Sequence, residues 1–450
     1  MKIIGIDVGT TTVCGAALDA DSGTLLRAIT LANDSALPAR PFERLQDPRR
    51  IFEICKKLYG ALLAEFPDAA AVGLTGQMHG MLYLDGKGEP LSPLYTWQDE
   101  RGERLFARGE SYAQALTRTT GRRMASGYGL TTLFYNEINR LTPAGAAKIC
   151  TIHDFVAMKL CGAFAPVAHV SDAASFGLFD LDHLRFDLGA AERADLPVSF
   201  LPETACGLKI IGRTAENVAV CVAVGDNQAS VLASVTKDSA LVNVGTGSQV
   251  SVVSDCYLPE SGAEFRPYFE GKYLMTGSSL AGGYAYSLLR DFFAETLKMF
   301  SLSLPDDAYE RMNGGAREAM RAPRKVECAP CFCGTRENPA LRASYANIGA
   351  QEFTPQQFAL ATLSGICEEL YRAFRRFPLE RAPQTLVGSG NGIRKNALLA
   401  QLVAERFSLP LLIPLYEEEA AVGAALCALS ALENTPLSDL SNMIRYRGER

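Results

Sequence analysis

Two strand-turn-strand units, far apart in the chain, share one pattern. The apolar run Lys2 to Ile6 leads into the small-residue turn Asp7-Val8-Gly9-Thr10-Thr11-Thr12 and on into Val13 to Leu18, and Thr24 to Leu31 supplies a third run. Much later, Ala240 to Val244 leads into Gly245-Thr246-Gly247-Ser248 and on into Gln249 to Val253. An internal duplication of this kind predicts two related lobes. Helix-period stretches (50–66, 284–300, 354–377 and 395–407) alternate with short buried-strand runs (70–74, 219–224 and 385–387), which predicts an α/β chain. The polar break Thr236-Lys237-Asp238-Ser239 sets the expected boundary, giving an N-terminal lobe 1–236 and a C-terminal lobe 237–450 with a ligand cleft between them.

Composition narrows the partners. The 450 residues carry 44 Lys+Arg against 50 Asp+Glu, a net charge of −6, and 48% are hydrophobic, so disorder and a small disulfide scaffold are excluded. No basic block offers a footprint for nucleic acid. The start Met1-Lys2-Ile3-Ile4-Gly5-Ile6-Asp7 enters a strand at once, without the pattern of a secretion signal, and nowhere does an apolar run reach the roughly 18 residues that span a bilayer. The chain is therefore expected to be cytoplasmic, with no membrane partner, and its 12 cysteines to be reduced thiols. The cluster Cys328, Cys331 and Cys333 lacks a fourth zinc ligand and reads as thiols in an apolar turn.

Each Gly/Thr turn offers backbone N–H groups and hydroxyls as a phosphate cradle, and each also reads as a plain structural turn. Neither fits the P-loop or dinucleotide pattern. Asp7, beside the first turn, suits a divalent cation or a turn cap. Asp226, in Val224-Gly225-Asp226-Asn227-Gln228, suits an acid displayed at a helix start or an ordinary N-cap. The loop Gly73 to Gly80, with Gln77, Met78 and His79, and the cluster Trp97, Gln98, Asp99 and Arg101 have the composition of a sugar site, and each also reads as structure. His153, His169 and His183 show neither metal-ligand spacing nor a nearby nucleophile motif. Gly388-Ser389-Gly390-Asn391-Gly392 runs from strand to helix with room for a flat ligand, and Glu417 to Ala425 reads as a helix with a closely packed small face.

In chain order, IGIDVGTTT, GLTGQMHG, PLYTWQDERG, IHDFVAMKLCG, VSDAASFGLFDL, VGDNQAS, NVGTGS, AGGYAYSLLRD, GTRENP, VGSGNGIRKN and EEEAAVGAAL together resemble the FGGY family of carbohydrate kinases. The resemblance runs from about Ile3 to Leu429 and implies two ribonuclease-H-like, actin-like ATPase lobes that hold MgATP and a small-molecule sugar between them, with closure that excludes water. It implies Asp226 as the catalytic base and Asp7 as the Mg²⁺ ligand. Thr10, Thr11 and Thr12 match the first phosphate loop, and Thr246 and Gly247 the second. Gly283, Gly390, Asn391 and Asn396 fall where the family holds the nucleotide. Gln77, Met78, His79 and Asn227 fall where it holds the sugar, with Trp97 and Asp99 as neighbours. Many members carry Lys or Arg where this chain has Cys14, which leaves Mg²⁺ or another residue to supply that positive charge. QMHG resembles the ketose kinases rather than the glycerol kinases. TWQDERG, VGDNQAS and VGSGNGIRKN resemble members that phosphorylate the terminal O7 of sedoheptulose, with xylulose or another ketose or polyol as the alternative. A non-catalytic actin-like ATPase is the remote alternative, and a monomer or homodimer is expected.

Overall fold

The structure is a computed structural model and describes residues 1–107, 109–335, 338 and 340–448. It divides into two compact units: Met1–Ala233 with Arg266–Tyr273 and Glu418–Ile444, and Ser234–Phe265 with Leu274–Glu417 and Arg445–Arg450. The first division falls close to the expected boundary at 236/237. Two segments of the expected second lobe, 237–450, namely Arg266–Tyr273 and Glu418–Ile444, cluster with the first unit.

In the first unit, strands β1 (Lys2–Val8), β2 (Thr12–Asp19), β3 (Leu25–Ala32), β4 (Ala69–Gly76), β5 (Ile210–Arg213), β6 (Ala219–Cys221) and β7 (Val224–Gly225) form one sheet. Its order is β5-β6-β4-β1-β2-β3, and β7 also pairs with β4. β1 and β2 are antiparallel, with Asp7 opposite Cys14 and Val8 opposite Val13, so Gly9, Thr10 and Thr11 form a tight hairpin. β1 and β4 run parallel, as the buried apolar runs predict.

In the second unit, β8 (Ser239–Val244), β9 (Ser248–Ser254), β10 (Tyr273–Ser279), β11 (Thr385–Ser389) and β12 (Leu411–Leu412) repeat the plan in the order β10-β9-β8-β11-β12. β8 is antiparallel to β9 and parallel to β11, as β1 is to β2 and β4. The duplication seen in sequence is thus a duplication of topology.

The helices include α1 (Pro48–Glu65), α2 (Ile152–Leu160), α3 (Asp226–Ser234), α4 (Gly282–Lys298), α5 (Pro355–Phe374), α6 (Ala397–Phe407) and α7 (Glu419–Glu433), with others between them. α1 starts at Asp47, whose side chain accepts from Arg49 N, with Pro48 in the first turn. It packs on β2, where a Cβ on Gly15 would lie 1.9 Å from Leu58 Cδ2. α7 explains why the C-terminal segment returns. Gly5 and Gly73 are partners across β1 and β4, and a Cβ would lie 1.8 Å from Ala421 O at the first and 1.9 Å from Ala424 O at the second. A Cβ on Gly423 would lie 2.0 Å from Ala229 O of α3. The small face of α7 therefore rests directly on sheet backbone and on the helix that begins with Asp226. Among the described residues, no helix is long and apolar enough to cross a membrane.

Candidate active site

Three parallel strands of the first unit end side by side. Asp7 pairs with Thr75, Val8 with Gly76, and Gly225 with the same Gly76 from its other side. The register therefore delivers Asp7, the loop starting at Gln77, and Asp226 at the carboxyl end of one sheet, the end where α/β sheets present ligands. Thr75 Oγ1 donates to Val224 O at 2.8 Å, and Gln77 N donates to Val8 O at 3.0 Å. Both carboxylates are half-buried. Burial first, then the like charge of Asp226, pushes Asp7 up to about 7. Burial also pushes Asp226 up to about 6, against the opposing pull of His153, the Asn227 backbone and Arg266.

The segment around the short helix Val170–Ala173 holds three parts of this arrangement. Ser171 Oγ accepts from Gly225 N at 3.1 Å, and Ser171 O accepts from Gln228 Nε2 at 3.2 Å, fixing the turn that carries Asp226. Asp172 Oδ2 lies 3.0 Å from His153 Nε2 and accepts from Thr151 Oγ1 at 2.8 Å. Ser175 Oγ donates to Asp172 Oδ1 at 3.3 Å and accepts from His79 N at 3.0 Å. His153 and Asp172 are fully buried. Burial alone would lower the imidazole, but Asp172 outweighs it by charge and hydrogen bond, with help from Asp154 and Asp226, and raises His153 to about 9. Its ring lies over the middle strand end: a Cβ on Gly76 would sit 3.2 Å from Nδ1. The sequence offered no metal-ligand spacing for His153, yet the fold brings ligand atoms of His153, Asp154 and Asp172 within 4.8 Å of one another. This buried trio carries its own positive charge, the imidazolium paired with Asp172, and burial raises the Asp154 carboxyl well above its usual range, favouring the neutral acid.

The loop after β4 is strained and tied down. His79 has φ +73°, its Nδ1 is 2.9 Å from Ser175 O, and its ring stacks on Tyr128 with centroids 4.8 Å apart. Because the carbonyl only accepts, Nδ1 is the protonated nitrogen. Met78 packs against Gly225, and Asn227 Oδ1 is buried without a partner among the described residues, which leaves an acceptor for a ligand hydroxyl. Trp97, 45% exposed, donates from Nε1 to Thr10 Oγ1 at 3.0 Å. Thr10 Oγ1 in turn donates to Gln77 Oε1 at 3.2 Å. Its only hydroxyl proton is therefore directed to Gln77. The exposed Thr11 and Thr12 carry no such commitment.

Asp99 is buried, its Oδ1 accepts from Arg101 N and Nε, and its Oδ2 accepts from Arg44 N and Arg101 Nη2. Both oxygens thus accept from the protein and hold the loop in shape.

In the second unit the β8–β9 turn is pinned by the start of α4. Gly283 N donates to Gly245 O at 2.9 Å and Tyr284 N to Thr246 O at 3.0 Å, so Gly283 serves close packing and its N–H is not offered to a ligand. Gly390, at φ +79°, lies against the end of β8, where a Cβ would be 2.6 Å from Val244 O. Gly390 and Asn391 thus adjoin Thr246 and Gly247 on neighbouring strand ends. Asn396 caps α6 through Leu399 N at 3.0 Å and donates to Asn313 Oδ1 at 3.1 Å, and Asn313 also accepts from Tyr286 Oη at 2.9 Å.

The N-terminal domain model of the FGGY family of carbohydrate kinases matches residues 2–245, and its C-terminal domain model matches residues 240–432. The chain belongs to the FGGY family of carbohydrate kinases. Sedoheptulokinase of Mus musculus is 29% identical over 95% of this chain and 97% of its own length. Xylulose kinase of Staphylococcus epidermidis is 24% identical over 96% of this chain and 88% of its own. Gluconate kinase from Lactobacillus acidophilus superposes with a TM-score of 0.85 at 21% identity, covering 99% of this chain and 92% of that one, which bears on the fold. The FGGY chain thus has the two ribonuclease-H-like lobes that its motifs implied.

One FGGY motif, GTRENP, includes residues 336, 337 and 339, which lie outside the described residues. Cys14, where many FGGY members carry a cation, is buried, within 3.5 Å of Thr30 Oγ1, and burial pushes its thiol up to about 11. It is a neutral packing residue, and His153 is a positive charge that bears on both acids instead. Sequence reasoning missed His153, Asp172, Ser175 and Asn313. The first three stood inside quoted motifs, but their roles depend on side-chain meetings between distant segments.

Proposed function

We propose that this FGGY kinase transfers the γ-phosphoryl group of ATP to the terminal hydroxyl of a ketose, with sedoheptulose as substrate and sedoheptulose 7-phosphate as product. The observation that carries the reading is Asp226. Its carboxylate stands at the strand ends beside Asp7, and burial makes it a stronger base than an ordinary aspartate. In this reading Asp226 takes the proton of the attacking hydroxyl, while Asn227 Oδ1 and His79 orient the sugar and Trp97 offers its exposed indole face to the carbon chain. Met78 backs the turn, and Gln77 holds the loop in place. In the first unit Thr11 and Thr12 serve as phosphate-loop donors, and in the second unit Thr246, Gly247, Gly390 and Asn391 serve the nucleotide. Gly283 and Asn396 act there through packing and capping.

Asp7 fits Mg²⁺: a half-buried carboxylate whose proton affinity is raised by burial and by the like charge of Asp226 gains from a divalent cation nearby. When bound, Mg²⁺ supplies charge neutralisation for the phosphates. The preference for sedoheptulose is supported by the near full-length match to the mouse sedoheptulokinase; xylulose is the second reading, supported by the staphylococcal xylulose kinase. All twelve cysteines are unpaired, which supports a reducing, cytoplasmic location.

The test is ADP release from MgATP across sedoheptulose, xylulose, ribulose, fructose, glycerol and no sugar. A kcat/KM for sedoheptulose about tenfold above that for xylulose, roughly 1.4 kcal/mol of transition-state binding, upholds the reading. A larger value for xylulose replaces the substrate, and turnover that no sugar stimulates removes the catalytic reading in favour of a non-catalytic ATPase.

A further inference from the structure

Gln46 sits just before α1, 5% exposed, with its backbone position set by neighbours that also hold the first hairpin. Asp47 N donates to Ser35 O at 2.8 Å, and Ser35 Oγ donates to Asn33 Oδ1. Asn33 reaches the hairpin twice: its Nδ2 donates to Gly9 O at 2.8 Å and its N donates to Thr11 O at 2.9 Å. From this anchored place the Gln46 side chain spans two loops. Its Nε2 donates to Thr10 O at 2.8 Å, and its Oε1 accepts from Gln77 Nε2 at 2.8 Å. Thr10 Oγ1 closes the ring onto Gln77 Oε1 at 3.2 Å, and Trp97 Nε1 caps it at 3.0 Å.

The direction of every bond in this ring is forced. An indole N–H only donates and a backbone carbonyl only accepts. Gln46 must therefore turn its amide nitrogen to Thr10 O, which turns its oxygen to Gln77. Gln77, 4% exposed, must answer with its nitrogen and so presents its oxygen to the Thr10 hydroxyl. Thr10 then gives its proton to Gln77 and accepts from Trp97. No amide can flip without leaving two acceptors or two donors face to face in a buried place.

We propose that Gln46 is a positioning residue that locks the sugar loop to the first phosphate hairpin through this ring, so that sugar bound beside His79 and Trp97 sets the hairpin for phosphoryl transfer. The inference rests on the sugar-kinase reading of the site. Alignment is most of what phosphoryl transfer asks of a protein, so slack here falls on kcat.

Trp97 is the only tryptophan in the chain, so its emission reports the ring directly. The full chain is compared with Gln46→Leu, which removes both bonds, and Gln46→Glu, which keeps the acceptor for Gln77 but sets an acceptor against Thr10 O. The measurements are kcat, both KM values, the thermal midpoint, and Trp97 emission with and without the sugar that the wild type phosphorylates. The expected result is a kcat lowered about tenfold or more with the KM for MgATP within about threefold. A sugar-induced emission change is expected in the wild type, reduced in Gln46→Glu and lost in Gln46→Leu. If Gln46→Leu does not fold, Gln46→Glu carries the comparison.

The proposal is overturned if kcat stays within about twofold and the emission change survives. It is equally overturned if the wild type shows no sugar-induced change, or if lost activity only tracks the unfolded fraction. If the wild type phosphorylates no sugar, the proposed function fails instead, and the ring is still read from unliganded emission, where identical spectra for wild type and Gln46→Leu overturn it.

Discussion

Replacing Asp226 by asparagine should inactivate the protein and stabilise it at once. The carboxyl is raised from its ordinary 3.8 to about 6, with burial as the first cause. A displacement of about two pH units corresponds to roughly 3 kcal/mol by which the native site disfavours the ionised form. The direction is the reverse of the usual aspartate: a folded pKa above the unfolded one contributes stability that is fully present below about 3.8 and is lost as pH rises through about 6. Asparagine mimics the neutral acid at every pH. In the absence of nucleotide and metal, Asp226→Asn should match the wild type near pH 4 and gain on it through pH 6. Above pH 7 the difference should level off at about 2–3 kcal/mol, a rise of roughly 5 °C in the melting transition of the first unit. Relief of the like charge on Asp7 adds in the same direction. The assay is thermal unfolding of both proteins at half-unit steps from pH 4.5 to 8.5, alongside ADP release, which should fall about 10²- to 10⁴-fold. A variant no more stable than wild type at pH 8, or one whose gain does not vary with pH, refutes the electrostatic account of the site; wild-type-like turnover removes Asp226 as the base.

Other perturbations test separate parts of the construction. The free-enzyme pH profile of kcat/KM should fall about tenfold per unit below about pH 6, where Asp226 takes up its proton, and stay flat above it; a profile unchanged down to pH 5 contradicts the assignment. Protons should also compete with Mg²⁺ for Asp7, so the half-saturating Mg²⁺ concentration should climb below about pH 7, as titration of the rate with metal would reveal. Gly73→Ala puts a methyl group 1.9 Å from Ala424 O, backbone against backbone, and should cost about 3 kcal/mol or more and displace α7; a melting temperature within a degree of wild type would mean that the helix yields freely. Asp172→Asn breaks a buried pair and leaves His153 without its counter-charge, so a loss of about 3–5 kcal/mol is expected, read by denaturant unfolding at pH 7.

What the sequence made legible follows from the range of the forces involved. Strand runs, Gly/Thr turns and helix periods are local and were legible, whereas the register that sets Asp7 and the turn carrying Asp226 on either side of β4 is a property of the folded sheet. The small residues of Glu417 to Ala425 signalled close packing, but not that the packing partner would be the first sheet, because Gly5 and Gly73 announce only that something comes near. Side-chain commitments were the least legible part. The fold brings Arg44 and Arg101 to both oxygens of Asp99, and Trp97 and Gln77 to the hydroxyl of Thr10, and no local pattern announces either meeting. His153 was set aside for want of spacing, yet Asp172 reaches it across the fold and makes it a charge beside both acids. A polar residue's role depends on which of its lone pairs and protons the folded chain has already used. That accounting closes only in three dimensions: the place of Asp226 at a strand end and helix start was legible locally, its proposed role as base came from the family resemblance, and the side chains that tie the loops together were legible in neither.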